Sequence, residues 1–233
     1  MPNWVKNIVE FETSSDRINQ IVDTIKSEED GDVRYFDFEK ILPMPESLKI
    51  SSGSSTDLGI DILKYQERGD DSSLKERLEH PWVTKAGLTT VDELVDYCLK
   101  EGNADLESAR KALFNIDNYG VKDWYEWSVK NWGSKWNSSE SLFEDGKIHF
   151  QTAWSVPEPI FIELSKMFAD VKMRVIFADE DLGNNCGEFT LLDGKIVSFD
   201  EYDEFQACEV WGYDPAEIFP EEYRDRRIKG LLD

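Results

Sequence analysis

Trp132-Gly133-Ser134-Lys135-Trp136-Asn137 and, after a serine-rich turn, Lys147-Ile148-His149-Phe150-Gln151-Thr152-Ala153-Trp154-Ser155-Val156-Pro157 form the stretch on which the fold reading turns. Lys135 to Phe143 and Lys147 to Trp154 read as two strands joined around Glu144-Asp145-Gly146, because Asp-Gly supplies the two positive-φ positions of a tight hairpin. Pro157 then opens a helix, where a missing N–H costs nothing. Ile160, Phe161, Leu164, Met167 and Phe168 recur at helical spacing and make its buried stripe.

Working outward, Val171 to Ala178 reads as a strand with apolar residues on both faces, as a central strand has. Glu188 to Leu192 and Ile196 to Phe199 form a second hairpin about Asp193-Gly194. Beyond it, Tyr202 to Tyr213 is mixed and acidic, and Pro215 to Asp233 is a tail with several arginines. Upstream, Asp123 to Trp132 puts Trp124 and Trp127 on one face of a short helix that Gly133 ends.

The N-terminal part opens with an aromatic and β-branched strand up to Glu12, then an amphipathic helix over Asp16 to Lys26 carrying Ile18, Ile21, Val22 and Ile25. Val33-Arg34-Tyr35-Phe36-Asp37-Phe38 reads as a second strand, stopped by Leu42-Pro43-Met44-Pro45. This strand–helix–strand unit is half of a ferredoxin-like arrangement. Ser51 to Ser55 is linker-like, and four helical segments follow it, Leu58 to Gln66, Ser72 to Glu79, Thr90 to Lys100 and Asp105 to Phe114. Thr90 with Glu93 has the form of a capped helix start. The expected organisation is a ferredoxin-like α+β domain, an antiparallel sheet with helices on one face, from residues 1–45 and 119–233. A helical insertion occupies residues 46–118.

Composition narrows the function classes. With 233 residues, 40% hydrophobic and 12% aromatic, the chain builds a conventional core. Its formal charge is −23, from 49 acidic and 26 basic residues, well above what solubility needs. Such a surface repels nucleic acid and anionic membrane and attracts basic proteins. The bland alternative is an acidic soluble protein with no such partner. Cys98, Cys186 and Cys208 have no ligand or CxxC spacing, so they read as free buried thiols in a reducing compartment. No leader and no membrane-length apolar run is visible, which places the expectation in the cytoplasm of a host cell, away from membranes.

The opening Met1-Pro2-Asn3-Trp4, the two motifs from Trp132 to Asn137 and from Thr152 to Pro157, and Ala178-Asp179-Glu180-Asp181-Leu182-Gly183-Asn184-Asn185-Cys186-Gly187-Glu188 together resemble the YubB-like (Api-type) family. That resemblance covers the first strand and most of the chain after about Trp124. It implies a ferredoxin-like domain and a phage, plasmid or prophage-island origin, and it transfers no catalytic residue.

Each candidate chemistry has an ordinary competitor. The Trp132–Trp154 cluster resembles a base-stacking platform, but those sit in positive grooves, and only Lys135 and Lys147 are Lys or Arg here. Core packing of hairpin on helix is the favoured reading. A calcium loop from Asp179 fails, since its fifth and sixth positions are Gly183 and Asn184. His80 and His149 have no nucleophile or zinc partners in the sequence, and no phosphate-loop motif is present, so neither cofactor nor metal is expected. Paired carboxylates are too abundant to discriminate.

The acidic C-terminal third is more informative. From Asp179 to Glu222 there are fourteen Asp or Glu and a single Lys or Arg, Lys195. The candidate contact residues are Asp179, Glu180, Asp181, Asp200, Glu201, Asp203, Glu204 and Glu209, with the helical insertion as a second contact region. The leading expectation is a non-enzymatic mobile-element protein that binds and inhibits a basic, nucleic-acid-binding protein of host defence, of anti-CRISPR or anti-restriction type. It would do so as a nucleic-acid mimic, without binding nucleic acid itself. The alternatives are an enzyme using carboxylates on a small molecule or nucleotide, and a plasmid-borne binding module whose partner is not nucleic-acid-like.

Overall fold

The computed structural model describes residues 2–229; Met1 and residues 230–233, the outermost parts of the expected sheet domain, lie outside the described residues. The chain divides into two compact units, residues 1–43 with 128–233, and residues 44–127.

In the first unit β1 (Trp4–Glu12) is followed by α1 (Ser15–Ile25), whose N-cap Ser14 accepts from the Arg17 amide. A two-stranded ribbon, β2 (Ser27–Glu29) and β3 (Asp32–Arg34), and a short helix α2 (Phe38–Ile41) come next. The expected strand over Val33 to Phe38 is therefore a correction: only Asp32–Arg34 is extended, and it pairs with β2 instead of joining the main sheet. The reason lies in where the backbone donors go. The Tyr35 amide donates to Ser141 Oγ at 2.8 Å, Asp37 N to Ile25 O at 3.0 Å and Phe38 N to Asn137 Oδ1 at 2.9 Å, so these three donors are taken from any ladder. Asp37 then caps α2 through Glu39 N. Phe36 and Phe38 are both completely buried all the same.

The second unit is helical. It contains α3 (Ser54–Arg68), α4 (Ser72–Leu78), α5 (Pro81–Lys85), α6 (Val91–Lys100) and α7 (Leu106–Tyr119). The linker-like serines are shorter than expected, because α3 already begins at Ser54. Leu58, Ile62, Leu74, Val83, Leu94, Val95 and Cys98 form its core, and Thr90 and Glu93 make the reciprocal capping box that starts α6. Gly59 is needed for packing: a Cβ there would lie 2.6 Å from Asp105 O and 2.8 Å from Ala109 Cβ. The Asn115 side-chain amide donates to Ser47 O at 2.9 Å and to Lys122 O at 3.0 Å, tying the beginning and end of the unit together.

After α8 (Trp124–Asn131) come β4 (Ser139–Glu144), β5 (Lys147–Ala153), α9 (Glu158–Met167), β6 (Lys172–Asp179), β7 (Cys186–Leu192) and β8 (Lys195–Glu201). The described residues end with α10 (Glu204–Trp211), α11 (Pro215–Ile218) and α12 (Pro220–Ile228), helices that the acidic, weakly periodic sequence did not announce. The main sheet is antiparallel throughout, in the order β4-β5-β1-β6-β7-β8, which gives an α+β fold. Both expected Asp-Gly turns form, with φ of 50° and 75° at Asp145 and Gly146, and 49° and 70° at Asp193 and Gly194. β4 starts at Ser139, later than the expected Lys135, because Asn137 spends its side-chain oxygen on the amides of Phe38 and Ser138.

One sheet face carries Val5, Val9, Phe150, Val175 and Phe189 and is covered by a layer made of α1, α2 and α9. Phe36 stacks on Phe150 with centroids 4.4 Å apart, and Phe161 bridges to Phe189 at 5.8 Å. In addition, α10 lies on the opposite face, where Ala207 and Val210 pack with Ala178 and Cys186 beside Ile8 and Ile176. The β4 edge is flanked by the β2–β3 ribbon, whereas β8 is exposed along its whole length. Val197 has no register partner on β7, so β8 carries a bulge.

Candidate partner-binding surface

At one end of the sheet lie the start of β1, the end of β5, the turn from β6 to β7, and the junction of β8 with α10. Register puts them there: Trp4 is opposite Ala153, Val5 opposite Asp179, and Gly187 opposite Glu201. The Glu180 amide continues the ladder by donating to Trp4 O at 2.9 Å, and Trp154 N donates to Asn3 O at 2.9 Å.

Asp179 is not a surface acid. It is 6% exposed, and its carboxylate accepts from Asp181 N at 2.9 Å and, at 3.4 Å each, from the side-chain amides of Asn3 and Asn185. It holds the β6–β7 turn in shape. Glu180 and Asp181 project from that turn and are exposed; Glu180 Oε1 accepts from Trp4 N at 3.2 Å and Asp181 from Asn184 at 3.1 Å. Gly183, with φ of 89°, lets the turn approach the start of α10, where a Cβ would lie 3.1 Å from Glu204 Cβ.

Asp203 and Glu204 are half-buried. Asp203 caps α10 by accepting from the amides of Phe205 and Gln206. Arg226 of α12 folds back over both acids, at 2.6 Å from Asp203 and 2.7 Å from Glu204, and its guanidinium sits 4.1 Å from the Phe205 ring centre. Burial pushes the Asp203 carboxyl up, but the Gln206 amide and Arg226 outweigh it and hold the group below the usual carboxylate range. Asp200 and Glu201 are exposed on β8. Glu209 is exposed further along α10, beside a pocket of about 230 Å³ lined by Ile8, Ile176, Tyr202, Gln206 and Val210.

The sheet therefore gathers Glu180, Asp181, Glu201, Asp203 and Glu204 at one end, with Asp200 one residue back and Glu209 to the side. Asp179 is turned inward. Arg226 compensates Asp203 and Glu204.

The open face next to this end is an ion ladder across four strands. Lys147 reaches Glu10 at 2.6 Å, Arg174 reaches Glu10 at 3.1 Å and also pairs with Glu188, and Glu188 accepts from the Tyr202 hydroxyl. Glu188 is held below the usual carboxylate range, chiefly by the Arg174 hydrogen bond. Glu10 is lowered too: burial would raise it, but Lys147 and Arg174 prevail. Burial, and then the Glu188 carboxylate, push the Tyr202 hydroxyl up to about 12. His149 is pushed down by burial and by its neighbours Lys6 and Lys147.

The tryptophans correct the expectation of core packing in part. Trp132 is 5% exposed, with its indole N–H on Leu42 O at 2.9 Å, but Trp136 is 38% and Trp154 43% exposed. Trp4 and Trp136 have centroids 6.2 Å apart. Lys135 Nζ lies 4.4 Å from the Trp136 centroid and 5.1 Å from that of Trp154. Trp154 has φ of 74°, a conformation that costs a bulky residue about 1–3 kcal/mol and is kept only by surrounding constraints. Those constraints are the Asn3 bond, Asn185 Nδ2 to Trp154 O at 3.4 Å, and Ser155 Oγ to Gly133 O at 2.5 Å. Only the adjacency of Lys135 and Trp136 hinted at this cluster in the sequence; a positive φ at Trp154 leaves no mark there.

All three cysteines are free and buried, and no group of three or more His, Cys, Asp or Glu among the described residues is placed to hold a metal ion. No helix of the described residues is long and apolar enough to cross a membrane.

A family model described as the ferredoxin-like domain in Api92-like proteins matches residues 131–217, from the end of α8 to α11, and so includes most of this end of the sheet. No curated protein matches the chain. Among solved structures, the crystal structure of a protein Api92 from Yersinia pseudotuberculosis aligns over 87% of this chain and 98% of its own, at 12% identity and a TM-score of 0.40.

Proposed function

We propose that the protein acts by binding, as an inhibitor carried by a phage or plasmid. In this reading it presents the acidic end of its sheet to a basic, nucleic-acid-binding protein of a host defence system, such as a CRISPR effector or a restriction enzyme. The observation that carries the reading is the state of five of the exposed acids. Glu180, Asp181, Asp200, Glu201 and Glu209 have no cation within ion-pairing distance among the described residues. Like charges left uncompensated on one end of a molecule of charge −23 raise its energy, and a cationic groove shaped for phosphates relieves them. Asp203 and Glu204 contribute less to such contact, because Arg226 already holds them.

The resolved shifts at Glu10, Glu188 and Asp203 run downward, so these three carboxylates stay ionised near neutral pH.

The test is release of DNA from purified CRISPR effector complexes and restriction nucleases, followed by gel mobility. The wild-type protein is expected to displace DNA from at least one of them. The combined variant Glu180→Lys, Asp181→Lys, Asp200→Lys, Glu201→Lys is expected to lose that activity while keeping its circular dichroism spectrum. Undiminished inhibition by this variant overturns the reading, and a pull-down dominated by a neutral or acidic partner points to the plasmid-borne binding module instead.

A further inference from the structure

We infer that Trp4, Trp136 and Trp154 form a receptor for an arginine or lysine side chain of the basic partner, and that Lys135 is its built-in occupant. The inference rests on the reading of the acidic end as a contact surface and adds an anchor to it.

The argument starts with what already fills the cluster. A cation prefers the face of an indole, and Lys135 Nζ lies close to two of them at once. The rings are thus arranged to receive a positive charge, and the chain's own lysine occupies the place. Trp136 and Trp154 remain substantially exposed, so a second cation can reach the rings from solvent. Trp154 is also held in a left-handed backbone conformation, where glycine is the cheap choice. A large aromatic held there at a cost in stability is the kind of strained residue that gathers at binding sites.

The chemistry of the visitor follows from the neighbours. Glu180 accepts from the Trp4 amide and Asn185 donates to the Trp154 carbonyl, so the acidic β6–β7 turn is tied to the backbone of two of the three tryptophans. An aromatic floor beside a carboxylate suits a guanidinium, which stacks on one and pairs with the other. Single-stranded nucleic acid also stacks on tryptophan, but such platforms track the backbone with positive charge, and this border is anionic. Tryptophan and arginine are also the side chains that dominate binding energy at protein interfaces.

The measurement is intrinsic tryptophan fluorescence of the full chain at physiological ionic strength, titrated with an oligo-arginine peptide and, separately, with an oligothymidine. The peptide is expected to bind and the oligothymidine is not. Trp136→Leu and Trp154→Gly are each expected to weaken peptide binding about fivefold, within the span of a partly desolvated cation–π contact. Trp154→Gly doubles as the folding control, because glycine relaxes φ at that position: it should melt no lower than wild type while binding worse. Lys135→Ala is expected to tighten peptide binding about threefold, on the same scale of contact. That gain should shrink in the Trp136→Leu background, since only an occupied ring makes the lysine a competitor.

Peptide affinity that falls for Glu180→Gln with Asp181→Asn, but ignores both tryptophan changes, overturns the receptor and leaves the acidic contact surface standing. Tryptophan-dependent binding of oligothymidine overturns the receptor and the mimic reading together. Light scattering that shows a dimer broken by Trp136→Leu overturns it in favour of a second copy, whose own α12 arginines would fill the site.

Discussion

The two faces of the six-stranded sheet are built from different interactions over the same strands. On the helix-covered face, Phe36, Phe150 and Phe161 are entirely buried and touch ring to ring. On the other, Lys147, Glu10, Arg174, Glu188 and Tyr202 run across neighbouring strands as a chain of charges and hydrogen bonds, and α10 covers part of that face. The first kind of contact removes apolar surface from water and involves no titrating group. The second depends on which groups are ionised and is partly screened by solvent. Stability is thus concentrated on one side of the sheet, while the other stays polar and responsive to conditions.

The sharpest way to break this comparison is Phe150→Ala, which empties the middle of the aromatic cluster and is expected to cost about 3–5 kcal/mol in denaturant unfolding. A loss below about 1 kcal/mol would mean that the phenylalanines do not hold the sheet. Next is Gly187→Val. A Cβ at Gly187 would lie 2.6 Å from the Asp200 carbonyl, so the valine must push β8 away, and about 1–3 kcal/mol of overpacking is expected with enhanced hydrogen exchange along β8.

Arg174→Met tests the other face through pH. Glu10 and Glu188 have folded pKa values below their ordinary value of 4.5, so their contribution is present above that pH and is lost as the pH falls through the folded values. Wild type should therefore exceed the variant in melting temperature at pH 7, with the gap closing towards pH 3. At the alkaline end, Tyr202 has a folded pKa raised from 10.0 to about 12, so its contribution is complete below the lower value and disappears as the pH rises through the upper one. Tyr202→Phe should flatten stability across that window; an unchanged alkaline slope would remove the hydroxyl from the ladder. The smallest effect is expected from Lys172→Ala, which removes an exposed 2.7 Å pair with Glu12 at the end of the β1–β6 ladder, worth about 0.2–1 kcal/mol.

Much of the packed face could be read from the residues. Two Asp-Gly turns, the apolar β6, and the Thr90–Glu93 box are local signals, and the structure realises each of them. The misreadings came where one side chain decides the fate of another far away. Phe36 and Phe38 look like a strand until Ser141 takes the amide of Tyr35 and Asn137 that of Phe38. Charge density in the last third was visible, but not that Asp179 turns inward or that Arg226 returns to Asp203 and Glu204. Trp132 and Trp154 carry the same side chain, and only their places, after a helix and at the end of β5, separate a core residue from an exposed one. Residues 204–211 show little apolar periodicity, because α10 is buried between the sheet on one side and Phe219 and Tyr223 on the other.

The amide of Asn115 reaches a carbonyl from each end of the helical unit, so residues 47 and 122 are neighbours in space. A stretch of chain that leaves and returns at nearly one point behaves as a cassette: it can be gained or lost without altering the path of what flanks it. Excision of residues 48–121, with a short turn rejoining the cut, should give a polypeptide that still forms its β-rich part.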